Sequence, residues 1–351
     1  MRRSLSVVAA AGVALGALVP ATADAAAPAW KVARSDAKAR FTAVAAINAR
    51  NVWAVGRIGT TAHAWRFDGK RWADTTLPAP LRKRSYLFTV AGSAANDVWA
   101  FGSTPSGKYA LHWNGAKWTI SHTWKSTGEV GGAVVGGPKD VWVHGVETDG
   151  YSFGTWHFDG RSWTRPRTGF TMTGGTAVSA RNAWAVGTVT PKGALPVPVV
   201  RHWNGRSWTA VKLPALSGAT GRPGAGLTTV AARSSADVWV AGTRYERKGA
   251  VYAARPLALH WDGKSWRRSD PPAKTGVISV TPDGKGGAWA ATAFEMFHFT
   301  KGRWAKAALP TVKGRDLRIY QLSNARGTAS VWGAASYVWD GPGTTGAIIR
   351  Y

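Results

Sequence analysis

The chain has no cysteine among its 351 residues. That excludes disulfides, thiol nucleophiles, cysteine-ligated zinc or iron–sulfur centres and any thioether-linked tyrosine cofactor. Acids are scarce as well, with 18 Asp and Glu against 45 Lys and Arg. Glycosidase chemistry needs two carboxylates held about 5–10 Å apart, and few acids here are spare. Glu129, Glu147, Glu246 and Glu295 are the only glutamates, and only Glu147 and Asp149 fall close together. There is no G-x-S-x-G elbow, H-E-x-x-H helix, P-loop or EF-hand loop. Calcium takes clustered acids, and none cluster. No cofactor or metal is therefore expected. Beyond the N-terminus no apolar run reaches the length of a transmembrane helix, so no membrane insertion is expected.

What is present is a phrase that returns. Asn51-Val52-Trp53-Ala54-Val55-Gly56 recurs around Trp99, Trp142, Trp184, Trp239, Trp289 and Trp332, at spacings of 46, 43, 42, 55, 50 and 43 residues. A strand-like repeat of that length marks a β-propeller. A second phrase follows the first six copies, most clearly as Leu259-His260-Trp261-Asp262-Gly263-Lys264-Ser265-Trp266. Asp-Gly or Asn-Gly between apolar runs signals a two-residue hairpin turn, because both residues tolerate positive φ. The sixth copy reads Thr300-Lys301 there, so its turn must differ. Each repeat divides into four short strands, a to d, and one such sheet cannot bury both its faces alone. The expected fold is all-β: a seven-bladed propeller of four-stranded antiparallel blades.

The seventh copy ends at Ile348-Ile349-Arg350-Tyr351, in strand c. Ala29-Trp30-Lys31-Val32 resembles the strand d sequence Lys117-Trp118-Thr119-Ile120. The N-terminal strand is thus expected to complete the last blade, closing the ring and removing free sheet edges.

Residues 1–27 read as a secretory signal, leaving 28–351 as the propeller. Arg2-Arg3 is the charged start, residues 7–18 the apolar core, and Ala21-Thr22-Ala23 or Ala23-Asp24-Ala25 the cleavage site. Ser4-Leu5-Ser6 departs from the twin-arginine pattern, which favours export unfolded. The expected location is extracellular, with cell-wall association an open alternative.

Of the 21 tryptophans, strands b and d take seven each, counting Trp30. Blades splay outward from the axis, and large flat rings suit the widening gap. Truncating Trp142 or Trp184 to Ala should cost about 3–5 kcal/mol. His112, His157, His202, His260 and His298 repeat too, with Arg66 and Arg350 in the same slot. Equivalent positions lie too far apart for one ion with ligands at about 2 Å, and replacement by Arg fits a hydrogen-bond donor.

The net charge of +27 favours anionic partners through a long-range, salt-sensitive field. Loops joining strands b to c, and d to the next a, should share one face. Residues 244–256 bring Arg244, Tyr245, Arg247, Tyr252 and Arg255 to it; 334–345 bring Tyr337 and Trp339. Residues 77–86 and 213–226 add Arg82, Lys83, Arg84, Tyr86 and Arg222. Aromatic and arginine side chains on one rim suit an anionic glycan or polymer, by stacking and charge.

Together, D/N-V-W-A-V-G and H-W-D/N-G-x-x-W resemble the tryptophan-rich repeats of secreted bacterial propellers, grouped with the galactose oxidase central domain and kelch-like proteins. The likeness covers essentially all of 28–351 and implies seven blades. It does not carry over the oxidase, whose copper–radical site requires a cysteine. The kelch glycine pair is matched only loosely, by Gly131-Gly132 and Gly174-Gly175. Sialidase Asp-boxes space their residues as D-x-G-x-x-W, so their arginine triad is not implied. The expectation is a secreted, monomeric, non-catalytic protein that binds an anionic cell-surface polymer or acidic glycan at the rim. The alternatives are a polysaccharide hydrolase or lyase using Glu147, Asp149, Tyr245 or His144, and a scaffold for another protein. Nucleic acid enters only as a nonspecific partner.

Overall fold

A computed structural model describes residues 29–148, 151–216, 224–248, 251–312, 314–338 and 345–351. Seven four-stranded antiparallel sheets follow one another around a ring. Blade one runs Ala39–Asn48, Asn51–Ile58, Thr61–Phe67 and Trp72–Thr75, from the axis outward. The one helical element among the described residues is the 3-10 turn Ala79–Leu81. It lies between blades one and two.

Blade seven is assembled from both ends of the chain. Asp316–Asn324, Val331–Val338 and Thr345–Arg350 supply strands a to c, and Lys31–Asp36 is strand d. Lys31 lies opposite Arg350, and Asp36 opposite Gly346. The chain therefore closes the ring with its own hydrogen bonds, as the tryptophan pattern predicts.

The tryptophans join the blades. Every strand b ring is at most 3% exposed. Those of strand d, at Trp72, Trp118, Trp163, Trp208, Trp304 and Trp30, meet the strand b tryptophan of the preceding blade at 5.1–5.8 Å. Their planes cross at 72–85°. This edge-to-face geometry sets a positive ring edge on a negative ring face. The strand c aromatics meet the same partners at 4.5–6.4 Å. Each boundary thus holds a cluster of large apolar rings drawn from both blades.

The repeating histidines lie against the strand b tryptophans and bond to the carboxylates and amide beside them. In blade two Asp97 Oδ1 accepts from Trp99 Nε1 at 2.9 Å and pairs with His112 Nε2 at 3.0 Å, and the imidazole stacks on the indole. Asp140 and Asp237 serve His157 and His260 at 2.8 Å, and Asn182 serves His202 at 3.0 Å. In blade seven Arg350 donates to Ser330 at 3.0 Å and lies over Trp332.

The Asp-Gly dipeptides form the hairpin turns between strands c and d. Only the glycine takes positive φ, 101° at Gly69 and 94° at Gly263. The aspartate instead stands before the turn, and its carboxylate accepts two backbone N–H groups. For Asp68 these are the N–H of Lys70 and Arg71, both at 2.8 Å. An ionised Asp gains more from two such bonds than from adopting a strained φ itself. In the sixth copy Lys301 and Gly302 both have positive φ, 50° and 78°, a different turn as expected.

Candidate functional site

Strand polarity sorts the connections onto two faces. The b–c and d–a segments share one, the rim face, and the short a–b and c–d turns share the other, the turn face.

At blade five the expected loop is an extended hairpin. Strand b runs Asp237–Lys248 and strand c Val251–Trp261, so both overshoot the blade, paired as far as Lys248 opposite Val251. Arg244 lies opposite Arg255 and Tyr245 opposite Ala254. The arginines here have acid partners. Arg244 pairs with Glu246 and lies 3.5 Å from Asp270. Arg255 reaches Glu246 at 3.2 Å and Arg268 reaches Asp270 at 2.6 Å. Two carboxylates thus engage three of this sector's arginines. Tyr245 and Tyr252 are half-buried; the side chain of Arg247 and all of Trp339 and Arg222 lie outside the described residues. Tyr337 belongs to the core: strand b of blade seven continues through it, it is 3% exposed, and its hydroxyl donates to Pro310 O at 3.4 Å. Strand alternation turns its ring into the sheet-to-sheet interface, so Tyr337 is removed from the rim set.

The sector of blades one and two is charged differently. Residues 82–85 dock on the first hairpin, where Ser85 N–H donates to Thr60 O at 3.0 Å and Ala62 N–H to Ser85 Oγ at 3.2 Å. Ser85 is fully buried, while Arg82, Lys83 and Arg84 are exposed. Arg84 holds φ at 47°, a left-handed conformation that costs a side-chain-bearing residue about 1–2 kcal/mol. Arg57 donates to Gly59 O at 2.7 Å and sits over the Tyr86 ring at 5.4 Å. Tyr86 is fixed in turn by Tyr109, whose hydroxyl donates to Tyr86 O at 2.9 Å. Arg40 lies directly opposite Arg57 in the sheet, so two guanidinium groups share one side of the blade. The nearby acids are engaged elsewhere, Asp36 by Arg34 at 3.4 Å and Asp74 by His63 at 2.6 Å.

Sequence reasoning placed Arg82, Arg84 and Tyr86 here and missed Arg40 and Arg57. Strand register brings those two together, and neither belongs to a repeated phrase. Arg244 and Arg84 lie in separate sectors, four blades apart in chain order.

The axis encloses a channel of about 700 Å³ lined by the strands a. Several of its hydroxyls tie blades together: Thr42 Oγ1 donates to Leu87 O and Thr173 Oγ1 to Leu227 O, each at 2.8 Å. Arg326, on the a–b turn of blade seven, reaches across to donate to Ala177 O of blade four at 2.9 Å. His144 fills the space left by Gly131 and Gly132, where a Cβ at Gly132 would come within 2.6 Å of its Nε2. Burial pulls its pKa down to about 4, a drop only partly offset by a hydrogen bond to the Met172 backbone. Of the remaining enzyme candidates, Asp149 and the Glu147 side chain lie outside the described residues. Among the described residues no group of three or more His, Asp or Glu is placed to hold a metal ion, and no helix is long and apolar enough to cross a membrane.

Several solved propellers are similar in fold. The extracellular domain of a putative hybrid two component system from B. thetaiotaomicron matches with a TM-score of 0.59 at 12% identity. The match covers 92% of this chain and 39% of that one. The WD40 propeller domain of Doa1 gives 0.56 at 11%, over 91% and 96%. A GH74 xyloglucanase from Xanthomonas campestris gives 0.50 at 13%, over 87% and 53%. No family model and no curated protein matches the sequence, so the galactose oxidase and kelch resemblance rests on the two phrases alone. These likenesses show the propeller fold, which hosts unrelated functions.

Proposed function

We propose that the protein is a non-catalytic, extracellular binding protein for an anionic polymer or acidic glycan. The rim face of blades one and two is its binding surface. The observation that carries this reading is the Arg40–Arg57 pair beside Tyr86, with Arg84 held in a left-handed conformation next to it. Like charges opposite each other destabilise a sheet, and such a cost is commonly retained at functional sites. An incoming carboxylate, sulfate or phosphate would relieve it through charge-assisted hydrogen bonds, and a sugar face would stack beside the guanidinium on Tyr86.

The test is retention of residues 28–351 on immobilised acidic and neutral polysaccharides at rising salt. Retention on one acidic chemistry that survives high salt and falls in the Arg57→Ala, Tyr86→Ala double variant supports the reading. Equal retention on every anion, all lost with salt, overturns it.

A second reading has an observation of its own. Val251 is 65% exposed and Phe294 50%, with Leu195, Val197, Ile278 and Val312 also exposed, all on the rim face. Exposed apolar residues gathered on one face favour a protein partner. Capture that is insensitive to salt and lost in Phe294→Ser would favour it.

A further inference from the structure

The turn face carries a charge pattern that the repeat itself writes. Each turn between strands c and d presents a cation just after its glycine or one residue later. These are Lys70, Lys117, Arg161, Arg206 and Lys264, joined in blade six by Lys301 within the turn. The a–b turns of four blades add Arg50, Lys139, Arg181 and Lys285. All are exposed. Within a blade the two sets are neighbours, since the stems of Arg50, Lys139 and Arg181 lie against Gly69, Gly160 and Gly205. A Cβ on those glycines would come within 2.6–2.9 Å of them.

The acids of this face are engaged locally, three in the exposed turns and four in the interior. Asp68, Asp159 and Asp262 accept the turn N–H groups, and Asp97, Asp140, Asp237 and Asp283 are buried against histidines. Asp68 also lies 3.8 Å from Arg71, and Asp262 3.6 Å from Arg267. Among the described residues none of these ten ring cations is in an ion pair with an acid.

Three features give this ring a shape. The c–d turns of blades one to five share one geometry, with glycine φ of 94–101°. The exposed large apolar residues at Val146, Leu195, Val251, Ile278, Phe294 and Val312 lie on the opposite face, and on this one Val32 is 39% exposed. The chain enters the ring on this face, at Trp30 and Lys31.

We infer that the turn face seats the propeller on an anionic phospholipid surface by charge alone, with no inserted side chain. A plane of phosphates can meet the cations of many blades at once, whereas a single linear polymer follows only an arc. Juxtaposed basic residues bind anionic leaflets additively and release with salt. This site is separate from the rim and does not depend on the glycan reading.

The experiment is co-sedimentation of residues 28–351, which hold all seven blades, with vesicles of phosphatidylcholine alone or mixed with phosphatidylglycerol. Two variants carry the same charge change. One has Lys70→Glu, Arg161→Glu, Arg206→Glu and Lys264→Glu on the turn face. The other has Lys125→Glu, Arg167→Glu, Lys192→Glu and Lys212→Glu on the rim face, outside the rim site. All eight positions are exposed, and unchanged melting curves confirm that both variants are folded. The expected result is binding to the anionic vesicles only, weakened by more than about tenfold in the turn-face variant and by much less in the rim-face variant. Equal losses in the two variants would reduce the effect to net charge and overturn the inference. So would no binding to anionic vesicles alongside turn-face-dependent binding of soluble polyphosphate, which would assign the ring to a linear polymer.

Discussion

Trp30 meets Trp289 edge-on, with ring centroids 5.1 Å apart and planes at 85°, while its other neighbour, Tyr351, is the last residue of the chain. One aromatic cluster thus clasps the first described strand to blade six and to the C-terminus. Trp30 is 4% exposed, so Trp30→Ala should cost about 3–5 kcal/mol. Deletion of residues 28–34 should cost more, because it also removes hydrogen bonds to strand c. Urea denaturation measures both. A deletion variant as stable as the parent would mean that the ring does not need this strand.

The Asp–His–Trp triads lend themselves to a graded comparison, because blades one and four carry Asn51 and Asn182 where blades two, three and five carry Asp. Asn182 still accepts from Trp184 Nε1 at 3.1 Å and meets His202 at 3.0 Å. Asp97→Asn should therefore cost less than about 1 kcal/mol. Asp97→Ala leaves a buried indole N–H without an acceptor, and should cost about 1–3 kcal/mol more. Equal losses in the two variants would show that the negative charge matters rather than the acceptor.

Much of this architecture was legible because the repeat imposes the same physics seven times. The tryptophan positions, the strand order and the ring closure all follow from residues that must be apolar, or must turn, in every blade. The rim was less legible. Arg244 and Arg84 look alike in sequence, yet Glu246 and Asp270 meet the first and, among the described residues, no acid pairs with the second. Asp270 lies 26 residues from Arg244, and only the fold brings it near. Arg40 and Arg57 are set opposite by strand register, which no local pattern reveals. Tyr337 was misplaced because the last copy's strand b runs further than the phrase that marks it.

Arg84 separates binding from stability. Glycine tolerates its φ of 47° without a Cβ clash. Arg84→Gly should leave the melting temperature unchanged or raise it, relieving strain of about 1 kcal/mol. The same change should weaken retention on acidic polysaccharide. Lowered stability would mean that the side chain makes a structural contact outweighing the strain, and unchanged retention would remove Arg84 from the binding surface.

Trp142 lies between blades three and four and is 2% exposed, with Trp203 at 5.0 Å, Trp208 at 5.4 Å and His157 stacked at 4.0 Å. Trp142→Ala should cost about 3–5 kcal/mol. Trp142→Phe keeps a ring in the gap but loses the N–H that Asp140 accepts at 3.1 Å. It should cost less than the alanine change, and chemical denaturation ranks the two. A loss under about 1 kcal/mol for the alanine variant would contradict burial as the role of the repeat.

His144 gives stability a pH dependence of defined sign. Its folded pKa of about 4 lies below the ordinary histidine value of 6.5, because burial in the channel wall disfavours the imidazolium. Between those values the unfolded chain binds the proton and the folded chain does not. The contribution of His144 is therefore fully present above about pH 6.5 and is lost as pH falls towards 4. A shift of that size corresponds to about 3 kcal/mol. In blade two the equivalent position is Phe101, which is fully buried, and the Gly131-Gly132 gap leaves room for a ring. His144→Phe should match the parent near neutral pH within about 1–2 kcal/mol and exceed it at pH 4.5, flattening that limb of the stability profile. Parallel profiles for the two proteins would mean that other groups, such as the Asp–His pairs, set the acid limb, and that His144 titrates in the fold as it does in water.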